Sequence, residues 1–239
     1  MAGDSRPHLS VVIPAYNEEK RLPRTIEQIE RHLESKPGSY ELILVDDGST
    51  DGTRQVMDSA ANRNSKVRVE ALPGNRGKGR ALAAGVAVAR GDEVLVTDAD
   101  LSTPIDELEK LEAALESGAG VAIASRAVKG SRIEVPQPFY RVAMGKVFNL
   151  IVQIVLLPGI WDTQCGFKLF RADVAHPAFA ALTTDGFGYD PEVLYLAKRR
   201  GVRIVEVPVV WRNSAPTKVM AIRSSLDMFK HVVRVRFKR

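Results

Sequence analysis

Two aspartates, Asp98 and Asp100, have the residue type and spacing that point most directly to chemistry. They come directly after the apolar run at 93–97, in the sequence VLVTDADLS. Carboxylates two positions apart at the end of a strand can reach the same point beyond it. Hard divalent cations prefer such oxygen ligands, together with the phosphate oxygens of a substrate. The pair therefore predicts a Mg²⁺ or Mn²⁺ site that serves a nucleotide-diphosphate substrate. The alternative is a solvated acidic turn.

The elements that must position this pair alternate between strand-like and helix-like segments. Unbroken apolar runs are typical of strands buried on both faces, and strands that alternate with helices indicate a parallel sheet. The predicted fold class is therefore α/β, with a mostly parallel, Rossmann-like sheet flanked by helices. The predicted strands are 10–13, 41–45, 67–72, 93–97, 120–125 and 202–211, and the predicted helices are about 18–33, 51–62, 80–90, 103–117 and 191–200.

Polar clusters follow most of the predicted strands. Ligands of parallel sheets bind outside the carboxyl ends of the strands, so these clusters are expected to meet at one edge. Turn chemistry explains any one cluster, but several at the same edge favour a charged ligand. The glycine-rich segment GNRGKG at 74–79 has neither the P-loop spacing nor the dinucleotide fingerprint. The clusters are 14–18, 46–49, 76–79, 98–100 and Arg126.

Composition narrows the function classes. The 239 residues are 45% hydrophobic and 26% charged, which is an ordinary globular balance. The net charge is +5, and the segment 230–239 carries five lysines or arginines and no acid. Without zinc-finger spacing or an RNA-binding aromatic signature, nucleic acid is not an expected partner. The single Cys165 excludes an internal disulfide and is expected to be buried.

Three separated motifs carry a family resemblance. SVVIPAYNEE, LVDDGSTDGT and DADLS occur in order, and together they resemble the family 2 glycosyltransferases of the GT-A fold. More narrowly, NRGKGRALAAGV, DTQCGFKLF and GFGYDPEVLYLAKRRG resemble the dolichyl-phosphate β-glucosyltransferases, with the dolichyl-phosphate mannose synthases next nearest. The resemblance implies transfer of one hexose, glucose from UDP-glucose, onto a polyprenyl phosphate at a membrane surface, with inversion and with Mg²⁺ or Mn²⁺ as cofactor.

The resemblance also implies roles for single residues. Asp98 and Asp100 are the expected metal ligands and catalytic residues, and Asp162 and Asp190 are second catalytic candidates on the acceptor side. A helix cap is an equally good interpretation of Asp190. The expected nucleotide-binding residues are Pro14, Tyr16, Glu18, Val45, Asp47, Lys78, Asp98 and Ala99. The expected phosphate- and acceptor-binding residues are Arg126, Arg212 and Lys218.

One domain is expected to span residues 1–239, with a nucleotide-binding part at about 8–126 and an acceptor- and membrane-facing part at about 127–239. Neither a signal peptide nor a bilayer-spanning run of roughly 18–20 apolar residues is recognisable. The expected location is therefore peripheral, on the cytoplasmic face of a membrane. An apolar segment at 142–157 and a C-terminal amphipathic helix at 222–239 are the candidate membrane contacts. Packing on the protein itself is the alternative for both.

Three alternatives remain open on the sequence alone. The donor could be GDP-mannose rather than a UDP-sugar, with the same polyprenyl phosphate acceptor. The acceptor could instead be a sugar hydroxyl of a growing polysaccharide, although the QxxRW signature of processive synthases is missing. The third alternative is a nucleotide-binding scaffold domain without catalysis, which the intact acid pair disfavours.

Overall fold

The computed structural model describes residues 6–136, 138–213 and 231–237. The strands are β1 (Leu9–Ala15), β2 (Tyr40–Asp46), β3 (Val67–Ala71), β4 (Glu93–Val96), β5 (Val121–Ser125), β6 (Arg132–Val135), β7 (Lys168–Arg171), β8 (Ile204–Pro208) and β9 (Val210–Arg212). The helices are α1 (Leu22–Glu34), α2 (Thr53–Arg63), α3 (Lys78–Val88), α4 (Leu108–Glu116), α5 (Phe139–Val155), α6 (Ala172–Ala180) and α7 (Tyr189–Arg199).

A seven-stranded sheet with the order β3-β2-β1-β4-β7-β5-β8 forms the centre of the molecule. Its strands pair in parallel except β7, which lies antiparallel between β4 and β5. Every residue of β1 and β2 is buried, as strands covered on both faces require. The α/β prediction, a mostly parallel sheet flanked by helices, is confirmed. β6 and β9 pair separately as a small two-stranded sheet.

Helices cover both faces of the large sheet. The apolar side chains of α1 recur at helical spacing at Leu22, Ile26, Ile29 and Leu33, and with α2 and α4 they form one core layer. The other layer is built by α3, α5, α6 and α7. Gly85 of α3 has no room for a side chain, because a β-carbon there would overlap the valines of β1 and β2. This close approach packs α3 against β1 and β2, and Lys78, its first residue, reaches the cavity.

Two helices begin later than the sequence predicts. Residues 18–21 form a turn in which the carbonyl of Glu18 accepts the amide of Leu22, so α1 begins at Leu22 rather than near residue 18. Pro104 is extended, with a ψ angle of 147°. A 3₁₀ turn at Ile105–Glu107 therefore precedes α4, which begins at Leu108. In both places the residues before the helix stay at the polar edge of the sheet.

The two candidate membrane segments differ in how much of them the structure describes. Phe148 and Val152 of α5 are buried, whereas Val147, Leu150 and Ile154 are exposed. Residues 231–237 are helical, but 214–230 and 238–239 lie outside the described residues, so a C-terminal amphipathic helix over 222–239 stays a prediction. Across the described ranges, no helix combines the length and apolarity needed to cross a bilayer.

Candidate active site

A cavity of about 400 Å³ lies beyond the carboxyl ends of β1, β2 and β4. This is the edge at which a parallel sheet presents its loops to a ligand. Acidic, basic and aromatic side chains line the cavity together, which suits a ligand that has both a ring system and a charged group. The lining residues are Pro14, Ala15, Tyr16, Glu18, Arg21, Asp47, Asn75, Gly77, Lys78, Asp98, Ala99, Asp100 and Phe187.

Asp47 holds the glycine-rich segment over one side of the cavity. Its buried carboxylate accepts the backbone amides of Arg76 at 2.7 Å and Gly77 at 2.9 Å. Gly48, the next residue, has a φ angle of +72°, and a β-carbon there would overlap the backbone of Gly74. Two backbone segments therefore pass each other closely, and the glycine is needed both for its conformation and for its size.

The turn after β1 forms the adjoining wall. Asn17 is in the left-handed region with a φ angle of 57°, and its side-chain oxygen accepts the amide of Thr50. This link ties the turn to the segment after β2. Glu18 forms an ion pair with Arg21 at 2.6 Å at the cavity wall. The ring of Tyr16 is partly exposed, so it is accessible for stacking.

The acid pair faces a lysine from α3. Nζ of Lys78 lies 2.5 Å from Oδ1 of Asp98. Oδ1 of Asp100 accepts the amide of Ser102 at 3.0 Å. Burial and the repulsion from Asp98 raise the pKa of Asp100. Burial alone would lower the pKa of Lys78, but Asp98 and other acidic neighbours raise it well above its ordinary value. The site therefore concentrates negative charge, and a positive group already contacts it.

Gly166 supports Asp98 from the opposite side. It lies just before β7, and because β7 runs antiparallel, the start of this strand reaches the edge where β4 ends. A β-carbon at Gly166 would overlap the carboxylate of Asp98. The absence of a side chain at residue 166 therefore creates the space that the Asp98 carboxylate occupies.

Asp162 is held by Arg126 in a two-point ion pair. Nε and Nη2 of Arg126 donate to the Asp162 carboxylate at 2.7 and 2.9 Å, and Asp162 is 2% exposed. Burial alone would raise the pKa of Asp162, but Arg126 lowers it below its ordinary value. The guanidinium also lies over the ring of Trp211, 5.3 Å from its centre. Asp162 is therefore a weak base that orients Arg126.

Asp190 forms a second buried ion pair, with Lys168 of β7. Lys168 has no exposed surface, and its Nζ also donates to the carbonyl of Cys165 at 2.7 Å. Tyr189 lies between this pair and the acid pair. The ammonium groups of Lys78 and Lys168 are 5.4 and 5.8 Å from the centre of its ring. Asp190 is thus buried in an ion pair and is not among the residues that line the cavity.

Arg212 lies on β9 near the acid pair. Its backbone amide donates to the carbonyl of Ser102 at 2.8 Å, and its Nε donates to Glu134 at 2.6 Å. Lys218, the other expected acceptor residue, lies outside the described residues. The structure thus brings Arg212, but no described part of the segment after it, to the loop that contains Asp100.

Eight of the site residues expected from the sequence line the cavity, namely Pro14, Tyr16, Glu18, Asp47, Lys78, Asp98, Ala99 and Asp100. Val45 is fully buried, and its side chain packs against Gly85 of α3. Sequence reasoning singled out neither Arg21, Asn75 nor Phe187 as a lining residue. Asn75 and Phe187 lie within NRGKGRALAAGV and GFGYDPEVLYLAKRRG, two of the motifs that carry the family resemblance, whereas no pattern indicates Arg21.

A second group of metal-ligating side chains lies elsewhere among the described residues. Ligand atoms of His8, Glu93 and Glu112 lie within 4.8 Å of one another. Glu93 is the first residue of β4, and His8 immediately precedes β1, so this group lies at the amino ends of the strands. It is at the opposite edge of the sheet from Asp98 and Asp100 and does not serve the cavity.

Comparisons with known proteins agree with this geometry. The family described as "Glycosyl transferase family 2" matches residues 10–178. The chain is 35% identical to the dolichyl-phosphate beta-glucosyltransferase of Dictyostelium discoideum, covering 97% of this chain and 74% of that protein. It is also 35% identical to the Homo sapiens protein of the same name, covering 96% of this chain and 75% of that protein.

A solved structure has a similar fold. It is glucosyl-3-phosphoglycerate synthase from Mycobacterium tuberculosis in complex with Mn²⁺, UDP-glucose and phosphoglyceric acid. The TM-score is 0.73 at 21% identity, and the match covers 96% of this chain and 79% of that one. At this level of identity the likeness establishes the fold.

Proposed function

Since the chain belongs to glycosyl transferase family 2, we propose that it transfers one glucose from UDP-glucose to a dolichyl-type polyprenyl phosphate. The observation that carries the proposal is the similarity to dolichyl-phosphate beta-glucosyltransferases over nearly the whole chain. The charged cavity at the carboxyl edge of the sheet supports a nucleotide-sugar donor. UDP is the favoured nucleotide, and GDP is second.

The donor site is proposed to divide between a base region and a diphosphate region. Tyr16 offers a partly exposed ring for stacking on the base, and Asp47 offers carboxylate oxygens to a ring N–H. Lys78 lies at the acid pair, where its ammonium can pair with the diphosphate. Arg21 adds a further positive charge at the cavity wall. These groups orient a nucleoside diphosphate with its phosphates toward Asp98 and Asp100.

Asp98 and Asp100 would hold the cofactor, which we propose is Mg²⁺ or Mn²⁺. Both side chains reach the cavity, and both offer the oxygen ligands that hard cations prefer. The ion pair between Lys78 and Asp98 supports the proposal, because it places a positive charge at the acid pair. A bound divalent ion would stabilise the negative charge that develops on the leaving diphosphate.

The acceptor phosphate supplies its own nucleophile, so the chain need not provide a strong base. A phosphomonoester has a second pKa of about 6 and is mostly a dianion at neutral pH. This agrees with the burial of Asp162 and Asp190 in ion pairs with Arg126 and Lys168. We propose that Asp162 orients Arg126 and that Arg212, with Lys218, binds the acceptor phosphate. Inversion at the anomeric carbon is the outcome that the family resemblance implies.

A peripheral membrane contact is proposed to bring the enzyme to its lipid acceptor. The exposed apolar face of α5 includes Phe139, Val147, Leu150 and Ile154. Exposed apolar side chains along one side of a helix suit the boundary between head groups and acyl chains. We place this contact on the cytoplasmic face. The single Cys165 cannot form an internal disulfide, so the chain is compatible with a reducing compartment.

One assay tests the proposal against its alternatives. The enzyme with Mn²⁺ is offered UDP-glucose or GDP-mannose, each with a short-chain polyprenyl phosphate, the matching free polyprenol or a simple sugar. Transfer from UDP-glucose to the phosphate alone is the expected result. Transfer to the sugar but not to the phosphate would overturn the acceptor assignment. A preference for GDP-mannose would overturn the donor assignment, and no transfer from either donor would favour a binding domain.

A further inference from the structure

We propose that Glu134 competes with the acceptor phosphate for Arg212. This competition sets the affinity for the acceptor phosphate and promotes release of the product. This inference rests on the proposed function. Nε of Arg212 donates to Oε2 of Glu134 at 2.6 Å. The two side chains are 56% and 39% exposed, so each can exchange its partner for a ligand from solvent.

A break in strand register places Glu134 at this position. Ile133 pairs with Trp211 and Val135 pairs with Arg212, so Glu134 is an extra residue between two registered pairs. Such irregularities redirect a side chain and are frequent next to active sites. The small sheet is also held by backbone hydrogen bonds from Arg132 and Asn213 to the facing strands. The Glu134–Arg212 contact is therefore not needed to hold β6 and β9 together.

The pair lies next to the reacting groups. The amide of Arg212 donates to the carbonyl of Ser102, and the amide of Ser102 donates to Asp100. Trp211, the neighbour of Arg212, packs under the guanidinium of Arg126. Two hydrogen bonds thus connect the strand that carries Arg212 to one of the acid pair. An acceptor phosphate that approaches the donor sugar from the side of β9 therefore meets an Arg212 that is still paired with Glu134.

The charge of the phosphate changes during the reaction. Transfer forms a bond between an acceptor phosphate oxygen and the anomeric carbon. It breaks the bond between that carbon and the oxygen of UDP, which keeps the electron pair. The acceptor dianion thereby becomes a diester monoanion. An arginine fork binds phosphate in a bidentate manner, and a dianion attracts it more strongly than a single carboxylate does.

Breaking the Glu134–Arg212 contact costs the same free energy for both forms of the phosphate, but the dianion gains more from Arg212 than the monoanion does. The incoming dianion displaces Glu134 from Arg212, whereas the diester product has lost one negative charge and holds Arg212 less strongly. Glu134 can then recover its contact with Arg212 as the product leaves. A contact between two half-exposed side chains is weak enough for this exchange, since exposed ion pairs change an equilibrium constant by up to about fivefold.

Substitution of Glu134 by glutamine tests this role. Glu134→Gln is expected to lower the KM for a short-chain polyprenyl phosphate by about two- to fivefold, the range of an exposed ion pair. Inhibition by the glucosylated product should strengthen by a similar factor, and kcat should not rise. Glu134→Asp, which keeps the charge but shortens the side chain, should give a smaller change. Asp173→Asn removes an equal charge from an exposed pair with Arg171 and should leave KM unchanged.

A double-mutant cycle separates competition for Arg212 from a general effect of charge. In an Arg212→Gln background, Glu134→Gln should have no further effect on the KM of the acceptor. The inference is overturned if Glu134→Gln leaves the acceptor KM and product inhibition unchanged. It is equally overturned if the same decrease in KM persists without Arg212. The wild-type assay separates the two claims, because failure to transfer to any phosphate acceptor would refute the proposed function itself.

Discussion

Lys78 and Asp98 form an ion pair, with 2.5 Å between Nζ and Oδ1, at the position where a divalent cation is proposed to bind. A metal ion must therefore share or displace this contact. The diphosphate of the donor is the natural new partner for the released ammonium. Metal and donor are accordingly expected to bind together, each weakly without the other.

Lys78→Met tests this coupling. Without nucleotide, the variant should bind Mn²⁺ about tenfold more tightly than the wild type, because a charged hydrogen-bond partner of Asp98 is removed. Addition of UDP should strengthen Mn²⁺ binding less than it does in the wild type. Free Mn²⁺ can be measured by electron paramagnetic resonance. Lys110→Met, which removes a lysine of α4 that pairs with Glu107 in the preceding turn, is the control. Unchanged or weaker Mn²⁺ binding by Lys78→Met would contradict the idea.

Gly166→Ala tests how closely Asp98 must be positioned. The added methyl group would overlap the Asp98 carboxylate, so the carboxylate must move. We expect Mn²⁺ affinity in the presence of UDP to fall at least tenfold. The free energy of unfolding should change by only about 1–3 kcal/mol, the usual cost of overpacking. Gly145→Ala, at a position on α5 with nothing within 4 Å, is the matched control and should retain full affinity. Equal Mn²⁺ affinity in both variants would show that Asp98 tolerates displacement.

Glu192 links the described C-terminal residues to the body of the protein and makes stability depend on pH. Burial alone would raise the pKa of Glu192, but hydrogen bonds from His231, Thr184 and Thr183 lower it to about 2. A carboxylate with a lowered pKa stabilises the fold above its ordinary value of 4.5, and this stability is lost as the pH falls toward about 2.

Glu192→Gln should therefore be less stable than the wild type at neutral pH, by about 1–3 kcal/mol. The difference should shrink as the pH falls below 4.5, which urea unfolding at several pH values can measure. Glu27→Gln removes an acid from an exposed pair with Arg31 and should change stability little at any pH. A stability difference for Glu192→Gln that is constant over the whole range would refute the assignment.

The exposed apolar face of α5 predicts membrane binding through apolar contacts, to which basic residues add an electrostatic attraction. Val147→Gln combined with Ile154→Gln should reduce sedimentation with anionic vesicles about tenfold or more, because two apolar side chains no longer enter the lipid boundary. The midpoint of thermal unfolding should stay the same, since both side chains are exposed. Added salt should release the wild type in part, because basic residues contribute an attraction that ions screen. Vesicle binding by the variant equal to that of the wild type would exclude this face.

The parallel part of the fold could be predicted because its strands are unbroken apolar runs. β7 could not, since its four residues begin with Lys168 and end with Arg171. A lysine in the centre of a sheet contradicts strand patterning unless its partner is known. That partner is Asp190, 22 residues further along the chain. The ion pair, and with it the strand, becomes recognisable only in three dimensions.

The candidate site, like the sheet, could be predicted only where its residues follow apolar runs. Asp47, Asp98 and Asp100 directly follow apolar runs, so parallel pairing alone brings them to one edge. The positions of Asp162 and Gly166 depend instead on contacts between distant segments. The sequence offered Asp162 as a catalytic acid, but Arg126, 36 residues away, already holds it.

The position of β7 also constrains the order in which the chain can assemble. β4 and β5 follow each other along the chain, yet they are joined only through β7, which is synthesised much later. Until then, both strands have unpaired edges, and such edges promote association between nascent chains. A fragment containing only residues 8–126 is therefore expected to self-associate, although it includes most of the residues around the cavity. Completion of the sheet requires β7, which lies outside residues 8–126, so the folding of the cavity edge depends on the later part of the chain.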